Sequence, residues 1–207
     1  MPISSLTKIY YSDFTLAKVK QTFEINTTEQ NNFFANLTPL EPSPLLTETL
    51  NYNVAIALAS NSEKARSEMI IAPILIDIKR QNQEQINIFS GIDFTVEPEK
   101  GLNGTCDFLI TKSAEMLTIT APVITIVEAQ KENLNLGLGE CIAEMIAARI
   151  FNQKEGKNIS TIYGVITSGT NWRFLKLEGE NLIIDLTEYY LNQINLIMGI
   201  LTASLTT

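Results

Sequence analysis

Residues 104–130, GTCDFLITKSAEMLTITAPVITIVEAQ, contain two strand-like runs, each with one acid among apolar neighbours. TCDFLIT and VITIVEA are rich in β-branched and aromatic residues and are separated by a polar stretch, the pattern of two successive strands. Side chains alternate across a strand, so Ile124, Ile126, Glu128 and Gln130 fall on one face and Val127, Ala129 and Lys131 on the other. The run from Val123 to Val127 is apolar on both faces, which marks a central strand. A carboxylate at the end of such a strand must find a partner, and a hard cation is a common one. If the two strands are antiparallel neighbours, Asp107 near the start of one faces Glu128 near the end of the other. Taken singly, each acid has a plainer reading: Asp107 as a strand-entry residue after the Asn103-Gly104 turn, Glu128 as the point where the chain returns to water.

Working outward, INIFSGIDFTVEP (86–98) is a third strand-like run, placed before these two. LNLGLGECIAEMIAARIFNQ (134–153) has helical spacing, with Ile142, Met145, Ile146 and Ile150 inward. TIYGVITS (161–168), WRFLKLEG (172–179) and NLIIDL (181–186) return to strand patterns, and residues 187–205 read as a closing helix. Upstream, Asn61 or Ser62 caps a helix, SEKARSEMIIAPILIDIKRQ, with Ala65, Met69, Ala72 and Ile76 on one face and Pro73 bending it or marking its inner turn. Before it lie a helix from Leu45 to about Ser60 and the break LTPLEPSP (37–44). The first stretch reads as short helices, one capped by Ser12-Asp13 and carrying Leu16, Val19 and Phe23, another capped by Thr28 and carrying Phe33 and Phe34. The expected architecture is α/β, a central mixed sheet flanked by helices, with residues 1–60 as an N-terminal helical extension on a core of residues 61–207.

Composition removes whole classes of chemistry. The 207 residues include no His, which excludes Ser-His-Asp hydrolases, Cys-His proteases and His-ligated zinc enzymes. Cys106 and Cys141 form no CxxC pair, so a zinc ribbon or a thioredoxin-type motif is not expected. The N-terminal MPISSLTKIYYSDF has no apolar run of leader type, and no window reaches the ~18 continuous apolar residues of a membrane span. A cytoplasmic protein without a membrane partner is the expectation. With 15 Lys plus Arg against 23 Asp plus Glu, the net charge is −8, so nucleic acid would be met by a local cluster and not by a global basic field.

The order helix–Asp strand–turn–Glu-x-(Lys/Gln) strand–amphipathic helix resembles the PD-(D/E)XK superfamily, the restriction-endonuclease-like nucleases, from about Ser62 to Asp185. ARSEMIIAPIL matches the helix that carries a Glu, NGTCDFLIT the strand with the Asp, IVEAQKENLNLGLGECIAEMIAARIFNQ the Glu-x-Lys strand and its helix, and IYGVITSGTNWRFLKL a following hairpin. Within the superfamily the chain is similar to an uncharacterised bacterial group sharing the EKARSE and CIAEM phrases. The resemblance implies a restriction-endonuclease-like fold and a nuclease hydrolysing DNA phosphodiester bonds. It makes Asp107 and Glu128 ligands of Mg²⁺ or Mn²⁺, with Glu68 as a third carboxylate from the helix. Carboxylate oxygens suit such a hard ion. The position where the superfamily has Lys is Gln130 here, which can orient water but brings no charge; Lys131 could take the role only through a bulge or strand-end twist. A catalytically silent fold acting as a nucleic-acid or protein binding module is therefore the rival reading.

The remaining charged and aromatic residues read mainly as scaffold. Glu140 and Glu144 could approach a metal and are read as a solvated helical face. Lys64, Arg66, Lys79 and Arg80 could touch phosphate and are read as solubilising their helix. Trp172, beside Arg173, could stack a base and is read as core. The last helix, with Ile194, Ile197, Met198 and Leu201, is read as covering the sheet, with a homodimer contact as its alternative.

Overall fold

A computed structural model describes residues 8–82 and 86–205; the first seven residues, part of the N-terminal stretch read above as lacking a leader, lie outside that range. Among the described residues eight strands form one mixed sheet. In chain order they are β1 (Asn26–Gln30), β2 (Asn87–Asp93), β3 (Thr105–Thr111), β4 (Val123–Ala129), β5 (Thr161–Thr167), β6 (Asn171–Glu178), β7 (Asn181–Asp185) and β8 (Tyr189–Tyr190). The spatial order is β1-β7-β6-β5-β4-β3-β2, with β8 paired to β6. β2, β3 and β4 are an antiparallel meander, β4 and β5 are parallel, and β1 joins β7 in parallel at the far edge. The parallel step from β4 to β5 requires a crossover, supplied by α5 (Leu138–Lys154).

Helices cover both faces. α1 (Leu16–Phe23) and α5 lie on one, where Tyr11, Phe14 and Val19 meet Leu109, Ile126, Ile142 and Ile146. The other face carries α2 (Pro44–Ser60), α3 (Glu63–Arg66), α4 (Ala72–Gln81) and α6 (Ile194–Ala203), through Leu46, Ile70, Ile74, Ile78, Ile197 and Leu201. The apolar side of α6 is thus spent on the sheet, and Gly199 lets its backbone pass beside Thr38, whose carbonyl oxygen would lie 2.3 Å from an added Cβ.

The fold departs from the sequence reading at several points. Residues 26–30 are a strand, not a Thr28-capped helix, because their backbone groups pair with β7; tertiary pairing overrides local capping chemistry. Ser12 and Asp13 belong to a 3₁₀ turn, and Thr15 caps α1 by accepting from Lys18 N at 3.2 Å. The closing helix begins only at Ile194, after β8 and a further 3₁₀ turn. Ile124 faces the opposite cluster from Ile126, since a register shift between Ile110 and Thr111 leaves it unpaired and breaks the alternation.

Between α3 and α4, Ser67–Ile71 form a π turn in which Ala72 N bonds to Ser67 O, five residues back. One extra residue in the turn rotates the next helical segment, so Ile70, Ile74 and Ile78 point inward and Ile76 is exposed. Pro73 explains the local hydrogen bonding. It has no N–H for the Met69 carbonyl four residues earlier, and the Asn53 side-chain amide donates to that oxygen instead at 3.0 Å.

Helix α5 is pinned along its length. Asn152 near its C-terminus bonds both backbone groups of Val123, accepting from N and donating to O at 2.7 Å each. At mid-helix Gly164 of β5 leaves room for Met145, whose sulfur would sit 2.4 Å from a Cβ there. At the N-terminal end a Cβ on Gly139 would fall 2.1 Å from the Phe14 carbonyl oxygen. Gly139→Ala is therefore expected to destabilise the protein by about 1–3 kcal/mol, read as a lower denaturant midpoint with an unchanged slope; a neutral substitution would show that the 10–15 segment does not bear on α5.

Candidate metal centre

The clamping of α5 over β4 brings four acids from three elements, β3, β4 and α5, to one end of the sheet. The β3–β4 register pairs Phe108 with Val127, and one step further brings Asp107 opposite Glu128 on the α5 side. Asp107 is half-buried, and its Oδ2 accepts from Ala129 N at 2.8 Å, fixing the carboxylate against the neighbouring strand. Glu128 is buried, and its Oε1 accepts from Gln130 Nε2 at 2.9 Å. That contact follows from alternation, since Glu128 and Gln130 share a face. Gln130 N donates to Thr167 O at 2.8 Å, carrying the β4–β5 ladder one residue on, and its side chain packs against Gly137 at the start of α5.

Two glutamates one helical turn apart complete the group. Glu140 and Glu144 of α5 each offer a carboxylate oxygen to a set with Glu128 in which all three atoms lie within 4.8 Å of one another. Glu144 is fully buried, so its reading as part of a solvated face is overturned. The helix is covered on both sides, by the sheet beneath and by the 10–15 segment above, and the small residues Gly139, Cys141, Ala143 and Ala147 admit that cover. Apart from the weak Cys106 thiol, neither oxygen of Glu144 has a hydrogen-bond partner among the described residues. An ionised carboxylate there is strongly disfavoured, and a protonated one would still leave a donor and an acceptor unused. A cation bound by the three glutamates removes both problems.

The electrostatics point the same way. Burial, then Glu144, Asp107 and Glu140, push the Glu128 carboxyl well above the ordinary range, against the Gln130 hydrogen bond. Burial and Glu140 do the same to Glu144, with the Cys106 thiol, a weak donor, pulling the other way. Burial raises Asp107, opposed by the bond from Ala129 N. Glu140 is pushed up to about 6 by burial, then by Asp107, Glu63 and Asp13. Acids crowded in this way raise one another's pKa values and could hold a metal ion.

The sequence-derived site is met only in part. Asp107, Glu128 and Gln130 come together. Glu68 does not join them: it is exposed, and its Oε1 pairs with Lys64 Nζ at 2.7 Å on the outer side of the π turn. Glu63, one turn earlier, is the acid of that helix near the cluster, raised by burial and by Asp107. Lys131 is exposed past the strand end, and no bulge at Gln130 turns it inward. Glu140 and Glu144 escape a sequence reading as ligands because their i,i+4 spacing also fits an ordinary polar stripe. The usable signal is the run of small residues around them, which marks a helix buried on all sides.

Trp172 is buried, with Nε1 donating to Gly169 O at 3.0 Å, and Arg173 pairs with Glu188 at 2.8 Å. Among the described residues no helix is long and apolar enough to cross a membrane. The chain matches no family model and no curated protein.

Because the folded protein holds the Glu140 proton to about pH 6, whereas an unperturbed Glu releases it near 4.5, the folded state binds more protons in that window and stability falls as pH rises through it. Thermal denaturation in chelator should show a lower midpoint at pH 6.5 than at pH 4.5, and a rising midpoint would contradict the assignment. Glu144→Gln should raise the midpoint in chelator at pH 7, because it removes a buried carboxyl whose proton the folded state must hold while the unfolded state releases it, and should abolish the increase expected from Mn²⁺ in the wild type.

Proposed function

We propose that the chain is a divalent-metal-dependent nuclease of restriction-endonuclease-like type, hydrolysing phosphodiester bonds in DNA with Mg²⁺ or Mn²⁺. The observation that carries the proposal is Glu144, a wholly buried carboxyl whose oxygens meet no donor but the weak Cys106 thiol among the described residues, set with Glu128 and Glu140 where the β3–β4 pair brings Asp107 alongside. Glu128, Glu140 and Glu144 would hold the ion, with Asp107 beside them. The ion would supply a water of lowered pKa and charge stabilisation on the phosphodiester. The protein's own groups do the positioning. The bond from Ala129 N fixes Asp107, and the Gln130 amide fixes Glu128 while its remaining hydrogen-bonding capacity can orient a water. With no His among its residues, the chain has to rely on oxygen donors of this kind.

Gln130 at the position where Lys would stand favours a second reading, a silent nuclease fold that binds nucleic acid or protein without cleaving. Incubation with duplex and single-stranded DNA in Mg²⁺ or Mn²⁺ separates the two. Cleavage that falls at least about a hundredfold in Asp107→Asn, with the fold and melting curve intact, is the expected result. Binding without cleavage under every condition would leave the silent module, and undiminished cleavage by the variant would remove Asp107 from the site.

A further inference from the structure

Arg66, the last residue of α3, reads from sequence as one of several solubilising cations; instead it is buried, with 9% of its surface exposed. Its Nη1 donates to Ser168 O at 3.0 Å and to Thr170 Oγ1 at 3.4 Å, both neutral acceptors, and its Nε has no partner. Among the described residues no carboxylate forms an ion pair with it. A guanidinium is always charged, and burying it without an anion is costly unless an anion arrives. The place is also specific. Ser168 follows Thr167, whose carbonyl takes the N–H of Gln130, and Glu63, three residues before Arg66, lies near Asp107. Arg66 therefore stands at the same end of the sheet as the acidic cluster but outside it, hooked to the β5–β6 turn.

We propose that Arg66 binds a phosphate of the substrate backbone beside the one held at the metal, supplying the positive charge that Gln130 does not. The inference rests on the nuclease reading and adds to it a residue and a ligand: a backbone phosphodiester, met by a planar donor fork whose geometry suits phosphate oxygens. Nη1 is occupied by the turn, which presets the side chain; Nε is unpartnered and shut from solvent, so the phosphate would be met by the part of the guanidinium that stays exposed.

The test is the affinity of a labelled DNA oligonucleotide, measured by fluorescence anisotropy in Ca²⁺ over a range of salt, with Mn²⁺ binding of each variant titrated separately. Arg66→Gln keeps an amide donor for Ser168 O and removes the charge. It should weaken DNA binding about tenfold and lower the slope of log affinity against log salt by about one, with Mn²⁺ binding as in the wild type. Should Arg66→Gln fail to fold, Arg66→Lys carries the test, with a several-fold loss of affinity at an unchanged salt slope. An unchanged slope in a folded Arg66→Gln, or wild-type affinity in Arg66→Lys, overturns the proposal and leaves the nuclease reading standing. Wild-type protein that binds Mn²⁺ but no DNA overturns both.

Discussion

The structure turns on one buried carboxyl, that of Glu144, shut between β4 and α5 with only the weak Cys106 thiol to donate to it among the described residues. Removing an ion of this size from water costs several kcal/mol even after relaxation, so a chain that retains it there has to place something opposite it. What the chain places opposite are further acids, Glu128 and Glu140, and beside them Asp107. Such an arrangement weakens the protein on its own and could be made favourable by a metal ion bound among the three glutamates.

The scaffold holds the acids in place despite their mutual repulsion. β4 spans about 23 Å at 3.3 Å per residue and α5 about 25 Å at 1.5 Å per residue, so the helix can be tied to its strand at both ends. Asn152 secures the C-terminal end to Val123, and contacts of Gly139 with the Phe14 backbone and of Gly137 with Gln130 fix the other. With those ends fixed, the backbone positions that carry Glu140 and Glu144 are set opposite Glu128. The hydrogen bonds from Ala129 N and the Gln130 amide hold Asp107 and Glu128 in place, so these two carboxylates are oriented by the protein's own groups.

Much of the sheet is legible in the sequence because strand signals in β2 to β7 are strong and short-range: runs rich in β-branched and apolar residues with turn residues between them. Asp107 and Glu128 stand out because a charge inside an apolar strand is improbable without a reason. Features that depend on three-dimensional cover are not legible. β1 has no apolar face and becomes a strand only through β7. Glu144 is buried because the N-terminal segment crosses α5, a contact between residues more than a hundred positions apart. Glu68 and Ile76 are misplaced by a sequence reading because the π turn at Ser67–Ile71 shifts the helical phase without a periodic trace in the sequence. Arg66 looks like its charged neighbours Glu63 and Lys64 until the β5–β6 turn closes over it.

The most direct measurement is a calorimetric Mn²⁺ titration at pH 6 in two buffers of different ionisation enthalpy. If the buried carboxylates are the ligands, Mn²⁺ binds at a saturable site and displaces protons, so the observed heat differs between the buffers in proportion to the protons released. Folded protein that gives no binding heat in either buffer, or binds with no proton release, would contradict the assignment of the cluster as a metal centre.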